Sequence, residues 1–245
     1  MSNASILIIG NEILSGRTLE KNSNFICSRC TNLGIKIKEI RIIADQKSQI
    51  IKNALYLSSK YKNVFVTGGI GPTHDDITAQ SISDAFSRRL VLNKKAKILL
   101  SNFYKKKKVE LNSSRLKMAM IPERAKLIFN SVSAAPGFKI KNVWVMAGVP
   151  KIMQSMFIKE VEPKLKKGNK IFTKNIKILS AEGDIANILN NLQKNYKHIE
   201  IGSYPFIINK RAATDIVFKG SNKEIIYKAI KIFKKKIEEN NFKYI

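Results

Sequence analysis

The sequence predicts a three-layer α/β domain with a mostly parallel sheet, followed by a small α+β domain. Over residues 1–165, short apolar segments alternate with helical patterns, an order typical of parallel strands covered by helices on both faces. A charged stretch with Pro and Gly follows at 163–170 and marks a domain boundary. Over residues 171–245 the pattern becomes β-α-β-β-α, which suits an antiparallel sheet with its helices on one face.

The larger domain begins with its most regular part. A continuous apolar run that ends in Gly10 predicts a buried first strand, and similar runs of Ile and Val predict the next two. The segments that connect these strands have apolar residues at helical spacing, and Gly34 ends the first predicted helix. The predicted strands are 6–9, 35–43 and 64–67, and the predicted helices are 20–33, 50–57 and one that begins near Asp75 or Asp76.

The sequence pattern is less regular in the rest of the larger domain and becomes regular again in the smaller domain. In the larger domain we predict helices at 96–104, 113–120 and 152–157, and strands at 126–129 and 143–146. In the smaller domain we predict strands at 176–179, 199–206 and 213–218, and helices at 184–196 and 223–240.

Composition limits the classes of protein to which the chain can belong. With 44% hydrophobic and 26% charged residues, its 245 residues have the makeup of a globular protein. The two cysteines, Cys27 and Cys30, are too few for a disulfide scaffold, and we expect ordinary helix residues there. No apolar segment approaches the ~18 residues of a membrane helix, and no signal peptide precedes the first strand. We therefore expect a cytoplasmic protein without a membrane partner.

The charge raises the question of a nucleic-acid partner, since 45 Lys and Arg against 18 Asp and Glu give +27. Specific readers of nucleic acid favour Arg and interleaved aromatic residues, whereas most of these basic residues are Lys and are spread along the chain. Lys, Ile and Asn are all abundant and have A/T-rich codons, which offers another source of the charge. We do not expect nucleic acid to be the partner.

The most informative segment follows the third predicted strand and has the sequence TGGIGPTHDDIT from Thr67 to Thr78. Glycines allow the backbone to approach an anion, and free N–H groups at the next helix start favour phosphate. Carboxylates such as Asp75 and Asp76 suit Mg²⁺, which shares its other positions with phosphate and water. The alternative is a plain turn whose aspartates cap the helix. Three glycines, a threonine and two acids together favour a binding site, in which His74 is expected to be solvated.

Three further segments also follow predicted strands. In residues 10–17, Glu12 is placed to reach a ribose hydroxyl, a ring edge or a metal-bound water, although a solvated loop is the alternative. Asp45 follows the second strand, where capping of the next helix is the alternative. Residues 147–150 form a turn that otherwise only links a strand to a helix. Because open α/β sheets bind ligands at the carboxyl ends of their strands, we expect all four segments to converge.

These segments resemble the competence/damage-inducible protein A (CinA) family and, more broadly, the molybdopterin-binding domains of the MoaB/MogA/MoeA superfamily. The resemblance covers about residues 5–156, and its glycine-rich block is very specific. Part of the tail is similar to the small domain that follows in many CinA-type proteins, whereas Ala147 departs from the usual Pro. The matching motifs are GNEILSG at 10–16, GGIGPTHDDIT at 68–78, GVP at 148–150, EGDI at 182–185 and IGSYPF at 201–206.

The resemblance implies a Mg²⁺-assisted site for a phosphorylated nucleotide or pterin. Family members hydrolyse dinucleotide pyrophosphates such as ADP-ribose, related domains adenylylate molybdopterin, and one such domain accompanies eukaryotic FAD synthase. By the match of motifs, Asp76 is the essential acid of the glycine-rich block, and Asp45 is the acid that follows the second strand in the MogA-like branch. We assign Asp76, Asp45 and Glu12 as catalytic residues and Asp75, Asp76 and Asp45 as metal ligands. The expected ligand-binding residues are Gly10, Asn11, Thr67, Gly68, Gly69, Gly71, Thr73, Gly148 and Pro150.

The expected activity is cleavage or transfer at a phosphoanhydride, without a covalent nucleophile. A binding module for a pterin or nucleotide, without turnover, is the alternative, and association with nucleic acid through the Lys-rich surface is a third. Related domains form dimers or trimers, so the resemblance also implies a homo-oligomer. Full-length CinA proteins carry a further C-terminal domain for deamidation of nicotinamide mononucleotide, an activity not expected for a chain that ends at Ile245.

Overall fold

The computed structural model describes residues 2–244. The chain divides into two compact units, with the division between Gly168 and Asn169. In the larger unit, the described residues include eight strands, seven α-helices, a π-helix at Phe157–Val161 and a 3-10 helix at Glu162–Lys164. The strands are β1 (Asn3–Ile9), β2 (Lys36–Ile43), β3 (Asn63–Thr67), β4 (Leu90–Leu92), β5 (Met120–Pro122), β6 (Lys126–Ile128), β7 (Gly137–Ile140) and β8 (Val143–Met146). The helices are α1 (Asn11–Leu14), α2 (Asn22–Asn32), α3 (Lys47–Lys60), α4 (Thr78–Ala85), α5 (Lys94–Lys106), α6 (Ser113–Lys117) and α7 (Pro150–Met156).

The main sheet has six strands in the order β2-β1-β3-β8-β7-β6. The first four strands are parallel to one another, and β7 pairs antiparallel with both β8 and β6. This mostly parallel sheet with helices around it confirms the predicted α/β fold. Strands β4 and β5 form a separate antiparallel pair. Neither they nor β7 were predicted, because strands of three or four residues carry little periodicity, although β6 was recognised at 126–129.

Two hydrophobic cores cover the faces of this sheet, and β1 supplies side chains to both. Ala4, Ile6 and Ile8 belong to the core that contains α2 and α7, which we call the Ile6 face. Leu7 and Ile9 belong to the core that contains α3 to α5, which we call the Leu7 face. Successive strand residues point to opposite sides, so a central strand buried on both faces is a continuous apolar run. Burial of each Ile or Leu contributes roughly 1.5–3 kcal/mol.

Several helix boundaries differ from the prediction by a few residues, α1 was not predicted, and two of the differences lie near the glycine-rich segment. Helix α4 begins at Thr78, not at Asp75 or Asp76, because Asp76 closes a turn with Thr73 and the Thr78 N–H donates to the Gly69 carbonyl at 2.9 Å. Helix α6 ends at Lys117, and the expected continuation to Met120 instead opens strand β5.

The smaller unit confirms the predicted β-α-β-β-α order. It contains β9 (Phe172–Ile178), α8 (Glu182–Asn195), β10 (Ile199–Ile208), β11 (Arg211–Gly220) and α9 (Lys223–Glu239). The sheet is antiparallel in the order β10-β11-β9, and both helices share one core with it. In that core the rings of Phe218 and Phe233 meet edge to face at 5.5 Å. The Asn222 side chain caps α9 by accepting two backbone N–H groups.

None of the helices in the described residues is long and apolar enough to cross a membrane. Cys27 and Cys30 both lie on α2 as free thiols. Burial, aided by Cys27 and Glu162, raises the pKa of the Cys30 thiol to about 12, so at neutral pH it is a protonated core residue, not a nucleophile.

Candidate functional site

The four predicted segments all leave the same edge of the main sheet, which we call the rim. The register pairs Ile9 with Ile43 and Ile8 with Thr67, so β1, β2 and β3 end side by side. Thr67 in turn pairs with Met146 at the end of β8. Because these strands are parallel, the loops that follow them start from neighbouring points along one edge. The structure therefore brings together the segments that the sequence singled out.

The glycine-rich loop, residues 68–77, starts with two positions at which only glycine fits. Gly68 has φ +107°, and a Cβ there would lie 2.0 Å from the Ile9 carbonyl oxygen. Gly69 has φ +66°, and a Cβ there would lie 2.2 Å from Thr78 Oγ1. The loop thus passes directly over the end of β1 and against the start of α4.

Three consecutive amides of the loop are available to a ligand. Within residues 2–244, the backbone N–H groups of Gly69, Ile70 and Gly71 donate no hydrogen bond to a protein acceptor. Successive free N–H groups in a turn form a concavity that favours an anion. Of the predicted phosphate-loop residues, Gly69 and Gly71 therefore have free amides, whereas the Gly68 N–H donates to the Met146 carbonyl at 3.2 Å and the Thr73 N–H to Asp76 at 2.9 Å.

The second half of the loop is fastened by Asp76. Its Oδ2 accepts the Thr73 backbone N–H at 2.9 Å and also the Thr73 hydroxyl. The carbonyl of Thr73 accepts a hydrogen bond from the ammonium group of Lys117, which lies at the end of α6. Thr73 therefore connects a carboxylate and a cation at the rim. Sequence reasoning missed Lys117, because 44 residues separate it from Thr73 and nothing in the motif points to it.

The neighbouring Asp75 is exposed and ionised. Hydrogen bonding from the Thr73 side chain holds the pKa of Asp75 below its ordinary value, and the Asp75 backbone N–H, His74 and Lys117 add to this effect. His74 is exposed in the loop, as expected.

Asp45 and the loop after β1 are also connected. The Asn11 backbone N–H donates to Asp45 Oδ2 at 2.8 Å, and the Gly10 N–H donates to the Ile43 carbonyl at 3.1 Å. The carboxylate of Glu12 lies so close to Gly10 that a Cβ there would lie 2.6 Å from Glu12 Oε1. These bonds bring Glu12 to the rim.

Two clefts open at the rim, one on each face of the sheet. The Asp76 cleft lies on the Leu7 face, since Ile70 and Phe138 in its wall belong to that core. The Asn22 cleft lies on the Ile6 face, since Ile8 and Ile13 in its wall belong to that core. The Asp76 cleft includes Gly71, Asp76 and Lys117. The Asn22 cleft includes Glu12, Glu20, Asn22, Thr67, Gly148 and Pro150.

The three proposed metal ligands do not form one cluster. Among the residues that the structure describes, no group of three His, Cys, Asp or Glu side chains is arranged to hold a metal ion. Asp45 follows β2 whereas Asp76 follows β3, and β1 lies between them, so their strands are separated by about 10 Å. Any ion at the rim would therefore take few oxygens from the protein, as Mg²⁺ does when phosphate supplies the rest.

Comparison with known proteins assigns a family to each unit. Residues 5–167 match the family described as a probable molybdopterin binding domain, and residues 170–244 match the FAD synthase middle domain. A protein of Archaeoglobus fulgidus is 35% identical over 234 residues, which are 96% of this chain and 97% of that protein. A CinA-like protein of Flavobacterium psychrophilum is 34% identical over 170 residues, which are 66% of this chain and 40% of that protein.

A solved structure supports the fold of the larger unit. The crystal structure of the protein CinA, of unknown function, from Thermoplasma acidophilum is 33% identical. It superimposes with a TM-score of 0.59 over 64% of this chain and 94% of that chain.

Proposed function

Because the chain belongs to the family of molybdopterin-binding domains that includes the CinA-like proteins, we propose that it binds a phosphorylated nucleotide or pterin at the rim and cleaves or transfers at a phosphoanhydride. The observation that carries this proposal is the glycine-rich loop, with its free N–H groups at 69–71 beside the carboxylate of Asp76. A diphosphate placed there meets backbone donors, the ammonium group of Lys117 and a carboxylate that is suited to a cation.

The residues of the rim fit Mg²⁺ as a partner of the phosphate. Asp76 and Asp45 each commit Oδ2 to a protein donor, and within the described residues Oδ1 of neither accepts a hydrogen bond. Each can therefore offer one oxygen to an ion whose other ligands are substrate phosphate and water. Bound there, Mg²⁺ would supply neutralisation of phosphate charge.

In hydrolysis, a water oxygen bonds to phosphorus and the bridging phosphorus–oxygen bond breaks, so ADP-ribose gives AMP and ribose 5-phosphate. The free N–H groups of the loop hold the phosphate, and Asp76 is held by Thr73 in a fixed position beside it. Glu12 positions a ribose hydroxyl or the water. Placement and electrostatics are the main sources of rate in such reactions.

The test is incubation of the protein with Mg²⁺ and ADP-ribose or FAD, followed by detection of AMP. We expect Asp76→Asn to lower AMP release at least about 100-fold, because the variant loses the charge at the centre of the loop. His74→Gln is the matched control, since His74 is exposed in the same loop and is expected to leave the rate unchanged. Unchanged AMP release by Asp76→Asn would contradict the site assignment.

Adenylyl transfer is a second candidate, because residues 170–244 match the FAD synthase middle domain. It predicts pyrophosphate release from ATP that depends on an added acceptor such as FMN. If ligand binds but neither AMP nor pyrophosphate appears over hours, the chain is a binding module. A homo-oligomer, which light scattering would detect, stays a prediction.

A further inference from the structure

The wall of the Asn22 cleft contains two buried oxygens that lack a partner. Thr67 and Asn22 line this cleft, and their exposed fractions are 1% and 5%. Within the described residues, Thr67 Oγ1 and Asn22 Oδ1 make no hydrogen bond. Buried polar atoms in folded proteins nearly always have a partner, and leaving one unsatisfied costs free energy. Because both oxygens belong to residues in the wall of one cleft, a ligand in that cleft is a candidate source of the missing partners.

The hydrogen bonds of Asn22 determine whether its unpartnered side-chain atom is a donor or an acceptor. Its side-chain N–H donates to the Gly148 carbonyl at 2.7 Å, which connects α2 to the turn after β8. The reverse orientation would place two acceptor oxygens against each other. The remaining atom, Oδ1, is therefore an acceptor and requires an N–H or O–H donor from the ligand.

The charges of this cleft do not favour a phosphate. The cleft contains the carboxylates of Glu12 and Glu20 against one cation, Lys21. The first two amides of α2 already have an acceptor, because Glu20 Oε1 accepts the backbone N–H of Asn22 at 2.6 Å and that of Ser23 at 2.9 Å. The anion-binding features of the rim thus belong to the glycine-rich loop, whereas this cleft presents acceptors.

Much of the remaining wall is apolar. Ile13, Leu19 and Pro150 line the cleft, and the Leu19 side chain is 76% exposed. Apolar walls with a few convergent polar atoms are typical of sites for a ring or a sugar, because flat surfaces lose water on contact while the polar atoms set the orientation.

We propose that the Asn22 cleft binds the uncharged part of the ligand through its N–H or O–H donors, while the phosphate lies at residues 69–71. Thr67 Oγ1 and Asn22 Oδ1 are specificity-determining atoms for that part. The donors are either amino and imino groups of a ring or hydroxyls of a sugar. This inference rests on the proposed function, and it divides the ligand between the two faces of the sheet.

Binding of ligand fragments tests whether the ligand is divided between the Asn22 cleft and residues 69–71, and it does not require catalysis. We expect calorimetry to detect binding of adenosine or of the ring compound pterin without Mg²⁺, and binding of inorganic pyrophosphate with Mg²⁺. If 2′,3′-dideoxyadenosine binds as well as adenosine, the donors come from the ring; if its binding is lost, they come from the sugar. Absence of binding by adenosine and by pterin would overturn the proposal.

Thr67→Val is the decisive variant, because it replaces the hydroxyl by a methyl group of equal size. We expect adenosine or pterin to bind about tenfold more weakly, which corresponds to one hydrogen bond, and pyrophosphate to bind unchanged. Asn22→Leu is expected to act in the same direction. Ser5→Ala is the matched control, since Ser5 Oγ is also buried without a partner among the described residues but does not line the cleft.

Thermal stability gives an independent readout. Removal of an unpartnered buried hydroxyl does not sacrifice a hydrogen bond, so ligand-free Thr67→Val is expected to melt at or above the temperature of the unsubstituted protein. The rise in melting temperature caused by the nucleoside or pterin should be smaller in this variant. Equal fragment affinity in Thr67→Val and the unsubstituted protein would overturn the subsite, whereas loss of AMP release by Asp76→Asn would still support the proposed function.

Discussion

Asp45 accepts the backbone N–H of Asn11 at 2.8 Å, although the two residues lie 34 positions apart and follow different strands. The bond fastens the loop after β1 to the end of β2 and so fixes the loop that carries Glu12. Asp45 therefore has a structural contact in addition to the charge that the resemblance implies.

Substitution of Asp45 separates these two roles. Asp45→Asn retains an oxygen that can accept from Asn11 but loses the charge, whereas Asp45→Ala loses both. We expect AMP release with Mg²⁺ to fall at least about tenfold in both variants if charge is required. Only Asp45→Ala should lose about 1 kcal/mol of stability, the usual net value of one hydrogen bond in a folded protein. Urea unfolding measures the second effect, and full activity in Asp45→Asn would contradict a role for the charge.

The backbone of the glycine-rich loop is tested by two glycines of similar φ. Gly69 has φ +66° and no room for a Cβ, whereas Gly16 has φ +72° and nothing within 4 Å of the point that a Cβ would occupy. Gly16→Ala is expected to cost about 1 kcal/mol, from backbone strain alone. Gly69→Ala should cost more, because its Cβ overlaps Thr78, and should abolish pyrophosphate binding. Equal stability of the two variants in urea would refute the packing described for the loop.

Lys117 is predicted to contribute to phosphate binding. Its ammonium group already donates to the Thr73 carbonyl, and Lys117 shares a cleft with Asp76. We expect Lys117→Met to weaken pyrophosphate binding about tenfold and to reduce its salt dependence, since one cation is lost. Lys97→Met, an exposed position on α5, is the control. Identical affinity and salt dependence in both variants would exclude this role.

Glu39 predicts a pH dependence of stability. The Tyr61 hydroxyl, which donates at 2.6 Å, lowers the pKa of Glu39 to about 2, with Arg41 and Lys60 adding to the effect. Because the folded pKa lies below the unfolded value of about 4.3, the stabilisation is complete above that value and is lost as the pH falls towards 2.

The measurement is urea unfolding of the unsubstituted protein and Glu39→Gln between pH 3 and pH 7. The difference between their midpoints should be largest above pH 5 and should shrink as the pH falls to 3. Exposed Glu110 provides the control, since Glu110→Gln has no such contact to lose. A difference that stays constant over this range would contradict the ion pair and hydrogen bonds of Glu39.

The parallel strands and the rim were predictable, because each depends on a local signal. The apolar run from Ile6 to Ile9 identifies a strand that is buried on both faces, and the glycines after Thr67 identify a loop that needs positive φ. Since parallel strands end at a common edge, these local signals were sufficient to group the loops.

The start of α4 and the two clefts were not predictable, because they depend on contacts between distant segments. Asp76 resembles a helix cap in the sequence but bonds back to Thr73 instead. Asn22 bonds to Gly148, which lies 126 positions away, and only that contact shows which of its side-chain atoms remains free. Sequence spacing does not contain this information.

Two glycines of the rim, Gly68 and Gly148, restrict how this scaffold can change its preferred substrate. A Cβ at Gly68 would strike Ile9, and one at Gly148 would lie 3.2 Å from the Gly68 Cα, so neither position tolerates a larger residue without movement of the main chain. Evolution or protein engineering that seeks new ligands is therefore confined to the side chains that line the Asp76 cleft and the Asn22 cleft. The side chains of one cleft can be altered while those of the other are retained.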